Sequence, residues 1–129
     1  MKRIAQQSIE LADSGIACVA MVSGRSYNDI KVVMAKVEKY GQFHAEHKDI
    51  TKALKTLGIK TQQRPFTRFR DIEGIAIVPT NLKMTGEYHW VVYDGSASEP
   101  HVLDPKPGKR GKVTDFRGLN GFGHYLLIK

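Results

Sequence analysis

Asp13-Ser14-Gly15-Ile16-Ala17-Cys18-Val19-Ala20-Met21 is the stretch on which the fold of this chain turns. From Ser14 to Val22 the residues are apolar on all sides, and the run stops at Ser23-Gly24. That pattern predicts a buried central helix ended by a glycine. Asp13 stands where it can cap the helix, and Ser14 falls at the turn into it beside Gly15. A side chain at that position is exposed and faces N–H groups that lack intrahelical partners. Position 14 is therefore a candidate nucleophile position.

Working outward, helix signals fill the first half of the chain. Ser26-Tyr27-Asn28-Asp29 has the form of a capping box, after which Ile30, Val33, Met34 and Val37 recur at helical spacing until Gly41. Asp49 can cap a third helix, with Ile50, Ala53, Leu54 and Leu57 inward and Gly58 as terminator. After Gly58 the pattern changes to short strands at 59–62, 74–79, 89–93, 101–103 and 125–128. Asp94-Gly95 marks a turn, and 105–111 reads as a basic loop. Helices first and strands second predict an α+β fold, with N-terminal helices packed on a C-terminal antiparallel sheet. The 129 residues, 41% of them hydrophobic, suffice for one core and one domain spanning 1–129.

The chemistry sits in three separated segments. A cysteine peptidase needs a nucleophile at a helix N-terminus and an imidazole on a facing strand, oriented by a carboxylate or amide. His89-Trp90-Val91-Val92-Tyr93 supplies the imidazole, and Val102-Leu103-Asp104-Pro105 supplies the carboxylate. The taken-together pattern of Asp13, Gly15, Ala17, Ala20 and Met21, then His89 to Val92, then Asp104-Pro105, resembles the bacteriocin-processing, double-glycine leader peptidases and their stand-alone relatives. The resemblance implies a papain-like peptidase fold. It places Ser14 at the position of the nucleophilic cysteine, His89 as the acid–base partner and Asp104 as the group that holds the imidazole. It also implies an oxyanion-hole glutamine shortly upstream. Gln7 is the candidate, although the gap to Ser14 is one residue longer than the family's; Gln6 and Ser8 are the alternatives.

Cys18, the one thiol, competes with Ser14 for the nucleophile role. It lies four residues further on, a turn into the helix on a small apolar stretch, where a cysteine belongs to the core. Ser14 is therefore preferred. A serine hydroxyl needs stronger base assistance than a thiol, so in a site shaped for sulfur this chain is expected to be an inactive nucleophile-to-serine variant of a cysteine peptidase. The resemblance implies a peptide or protein substrate cut after small residues. Two alternatives stay open: a degenerate peptidase-like domain that binds peptides without cleaving them, and a small basic nucleic-acid-binding protein.

The last alternative rests on charge. Twenty basic against 13 acidic residues give a net charge of +7. The basic residues concentrate at Arg64, Arg68 and Arg70 and at Lys106, Lys109, Arg110 and Lys112, with Phe66, Phe69 or Tyr93 available to stack on bases. No nucleic-acid fold signature accompanies them, so nucleic acid is the less favoured partner, and an acidic protein partner or inhibitor fits the same surface. His44-x-x-His47, near Glu46 and Asp49, lacks a matched third ligand and is read as surface; neither a metal nor a cofactor is expected. A single cysteine precludes an internal disulfide, and no stretch approaches the roughly 18 apolar residues of a membrane span. A cytoplasmic location is the expectation that follows.

Overall fold

Every residue from Ser14 to Met21 is buried, so the stretch that is apolar on all sides forms the centre of the helical layer. The computed structural model describes residues 1–7, 13–37, 45–109 and 111–129. Three helices come first: α1 (Ser14–Ser23), α2 (Tyr27–Val37) and α3 (His47–Thr56). Five strands follow: β1 (Thr61–Pro65), β2 (Ile75–Thr80), β3 (His89–Asp94), β4 (His101–Leu103) and β5 (His124–Ile128), with a 3₁₀ turn at Phe69–Asp71 before β2. The strands make one antiparallel sheet in the order β1-β5-β2-β3-β4.

The sheet separates two apolar clusters because successive side chains of a strand point to opposite faces. Ile77, Trp90, Val92, Leu103 and Leu126 pack with α1 and with Ile30, Met34, Ile50 and Leu54 of the other helices. Ala76, Val78, Val91, Tyr93, Val102 and Tyr125 form the second cluster with Phe69 and Ile72, flanked by Phe116 and Leu119. β2 is covered on both faces, which is why its sequence is an apolar run without alternation. α1 lies against β3, and this contact sets the N-terminus of α1 beside the first residues of that strand.

Among the boundaries that differ from the sequence expectation, the start of α3 and the start of β1 each have a local reason. Asp49 lies in the first turn of α3 instead of capping it; Glu46 is the cap, and the Asp49 carboxylate accepts the Glu46 N–H at 2.9 Å. β1 starts at Thr61, two residues late. Gly58 takes φ 79°, and the Ile59 N–H closes the end of α3 on the Leu54 carbonyl at 2.9 Å, so Ile59 completes a helix cap before the strand begins. Ser26 does cap α2, accepting the Asp29 N–H at 3.1 Å. The proposed end of that helix at Gly41 lies outside the described residues.

Candidate active site

Contrary to the expectation of an exposed side chain, Ser14, the first residue of α1, is only 1% exposed, because the helix start packs on β3 and its Oγ accepts the Trp90 N–H at 3.0 Å. That N–H belongs to the peptide joining His89 to Trp90. The carbonyl of the same peptide accepts the Thr80 hydroxyl at 2.9 Å, so the start of β3 is held by α1 on one side and by β2 on the other. Gly15 permits this closeness. A Cβ there would lie 2.9 Å from the Ala45 Cβ and 3.4 Å from Trp90 Cδ1, so the space beside Gly15 is taken by packing.

His89 Nε2 lies 2.7 Å from Asp104 Oδ1. Asp104 also accepts the Lys106 N–H on the same oxygen at 2.9 Å, and its side chain is almost wholly buried. Burial pushes the Asp104 carboxyl up, but the hydrogen bonds from His89 and the Lys106 N–H, with the charges of His89 and Lys109, more than offset this and hold it below the ordinary carboxylate range. An ionised carboxylate only accepts hydrogen bonds, so in the neutral ring the His89 proton belongs on Nε2. Nδ1 is then the nitrogen left to take or give a proton.

Upstream, the two glutamines part company. Gln6 is buried, and its backbone N–H reaches the Pro105 carbonyl at 2.8 Å, directly after Asp104. The Gln7 side chain is exposed, and it is the Gln7 backbone N–H that is used, donating to Asp13 Oδ2 at 2.9 Å. Of the two candidates, Gln6 is thus the buried glutamine and Gln7 the exposed one. Ser8 lies outside the described residues. Asp13 precedes α1 without capping it by its side chain; its buried carboxyl group accepts the Tyr27 hydroxyl at 2.5 Å instead.

The remaining sequence candidates are used structurally. Cys18 is fully buried, and burial first, then the Asp104 charge, push its thiol well above the ordinary value. Trp90 is buried and donates Nε1–H to the Ala45 carbonyl at 2.8 Å. His47 sets its ring edge-on against Trp90, with centroids 4.8 Å apart, and its Nε2 lies 2.7 Å from the His124 carbonyl oxygen. His44 lies outside the described residues, and among those described no three His, Cys, Asp or Glu side chains could hold a metal. The stacking partners suggested for bases are largely consumed: Phe69 and Tyr93 are buried, and Arg70 lies over the Phe116 ring, 5.3 Å from its centroid. Arg68 is paired with Asp71 at 3.0 Å. Arg110 lies outside the described residues, and no described helix is long and apolar enough to cross a membrane. Composition carried no signal for Thr80, Tyr27 or Arg3, which all act through hydrogen bonds to distant parts of the chain.

Helices first, an antiparallel sheet second, and a helix N-terminus against a histidine strand constitute the papain-like peptidase fold. Two solved structures share it over 99% of this chain. One is a double-glycine-motif protease from an AMS/PCAT transporter in complex with the leader peptide, with TM-score 0.63, 20% identity and 91% of that chain covered. The other is the peptidase domain of Streptococcus mutans ComA, with TM-score 0.62, 18% identity and 99% of that chain covered. At these identities the shared property is the fold. No protein-family model and no curated protein sequence matches the chain.

Proposed function

We propose that this domain is a peptidase of the double-glycine leader type, with residue 14 as nucleophile position, His89 as acid–base and Asp104 as its orienting carboxylate. The observation that carries the reading is the convergence on β3: Ser14 Oγ is bonded to the amide that follows His89, while Asp104 occupies Nε2 and leaves Nδ1 for proton transfer. In the cysteine form, His89 would take the thiol proton, the thiolate would attack the substrate carbonyl, and the imidazolium would protonate the leaving amine. Gln6 is the oxyanion donor in this scheme. The 1% exposure of residue 14 leaves a narrow approach, which suits small residues on either side of the scissile bond. Serine at position 14 makes turnover slow, since the site offers one imidazole to a far weaker acid than a thiol. With serine there, the chain holds a peptide without cleaving it efficiently.

The test is thiol labelling of the Ser14→Cys protein with iodoacetamide across pH, with peptide mapping and a His89→Ala control. Labelling of residue 14 below pH 7, lost with His89→Ala, supports a thiolate–imidazole pair, and buried Cys18 should stay unlabelled until unfolding. Labelling at the rate of a free thiol would overturn the nucleophile assignment.

A further inference from the structure

Residues 3–7 run alongside the turn that carries Asp104, and they hold it by three hydrogen bonds from side chain and backbone. Arg3 Nε donates to the Asp104 carbonyl at 2.8 Å, and one Nη of the same guanidinium donates to the Lys106 carbonyl at 2.8 Å. The Gln6 N–H donates to the Pro105 carbonyl, also at 2.8 Å. All three consecutive carbonyls of 104–106 are thus claimed by one short segment. At its far end the segment is tied to Asp13 by the Gln7 N–H at 2.9 Å, next to residue 14.

This matters to the site because the turn is what aims the Asp104 carboxylate. Oδ1 accepts from both His89 Nε2 and the Lys106 N–H, so the 104–106 backbone must keep its amide pointing at Oδ1 while its carbonyls point away. A guanidinium is a rigid planar fork whose donors match two fixed acceptors at once, whereas an ammonium is a single point of charge on a flexible stem. Arg3 spans the Asp104 and Lys106 carbonyls with that fork and locks the turn in the conformation that presents Oδ1 to His89. No carboxylate within ion-pair distance of Arg3 exists among the described residues, so the fork is committed to the turn.

We propose that Arg3 is a positioning residue of the site: through the 104–106 turn it sets the Asp104 carboxylate on His89 Nε2, and the strap it belongs to adds the Gln6 N–H bond to the same turn. The proposal rests on the peptidase reading for its catalytic meaning, but the geometry it asserts can be measured in the serine chain itself. Nitrogen-15 correlation spectra of the His89 ring, taken at a pH where the ring is neutral, report which nitrogen carries the proton. The native chain should show the Nε2–H form. Arg3→Ala should give a mixture of the two tautomers, and Arg3→Lys should resemble Arg3→Ala because one ammonium cannot bridge both carbonyls. A second readout uses the Ser14→Cys background, where Arg3→Ala should slow iodoacetamide labelling of residue 14 at least ten-fold near neutral pH.

If Arg3→Ala lowers the melting temperature yet leaves the Nε2–H tautomer intact, Arg3 is merely structural and the proposal is wrong. If Ser14→Cys labels no faster than a free thiol while the tautomer still shifts with Arg3, the peptidase reading fails and the strap stands. Should Arg3→Ala fail to fold, Arg3→Lys decides alone: a native tautomer in that variant overturns the fork argument.

Discussion

Replacing Tyr27 by phenylalanine removes one oxygen and leaves the ring in place, so it isolates a single hydrogen bond. The Tyr27 hydroxyl donates to Asp13 Oδ2 at 2.5 Å, with Tyr27 8% and Asp13 1% exposed. The same oxygen accepts the Gln7 N–H, and Asp13 Oδ1 has no hydrogen-bond partner among the described residues. The variant therefore leaves a buried carboxyl group with one donor where it had two. A hydrogen bond to a charged group contributes about 1.5–3 kcal/mol, and stranding a buried acceptor adds to the loss, so Tyr27→Phe should cost about 2–3 kcal/mol. At about 2.1 cal/mol/K of unfolding entropy per residue, this lowers the melting temperature by about 7 to 11 °C. Urea unfolding followed through Trp90, the one tryptophan, gives the value directly, with an unchanged slope expected. Burial, then the bond and charge of Asp13, raise the Tyr27 hydroxyl well above the usual tyrosine range. The stabilisation is thus complete below the unfolded value of about 10 and is lost as pH rises further, so the gap between the two proteins should close in alkali. A cost below about 0.5 kcal/mol at neutral pH, or a gap independent of alkaline pH, would refute the view that Asp13 is anchored by Tyr27.

Gly15→Ala should cost about 1–3 kcal/mol, because the new Cβ meets Ala45, whose own Cβ has no rotamer to yield with; a thermal melt within a degree of the native chain would show that this segment gives way freely. Trp90→Phe removes the donor to the Ala45 carbonyl and should cost at least about 1 kcal/mol in calorimetry, with unchanged stability refuting the bond at 2.8 Å. Because the Asp104 carboxyl is held below its unfolded value, its contribution is present above about pH 4 and disappears as pH falls through the lower folded value. Asp104→Asn should flatten acid destabilisation in that window, and an identical acid limb in both proteins would show that Asp104 contributes nothing there.

The order of elements was readable from periodicity, since each helix and strand announces its buried face locally. Residues 14–22 have no polar side after Ser14, and the pattern changes from helical spacing to short strand-forming runs after Gly58. Within the site, position 14 was legible as the start of a buried helix, and the His89 and Asp104 segments were legible from their strands. Two of the boundary shifts arose where a hydrogen bond chose between neighbours: Ile59 went to the cap of α3, and Asp49 took the third position of a capping box. A shift of one residue likewise separates Gln6 from Gln7, and only the facing 104–106 turn shows which of them is buried.

Local pattern therefore reaches as far as which segments fold and which residue types they carry, because propensity, capping and apolar period act over a few residues. It stops at pairings across the chain. Asp13 looks like a helix cap from its neighbours but bonds Tyr27 and Gln7; the space beside Gly15 is filled by Ala45 and Trp90; Arg3 has no local signal at all and grips a turn some hundred residues away. Each of these depends on where two distant surfaces meet, and that is set by the packing of α1 against β3, not by the residues on either side in sequence.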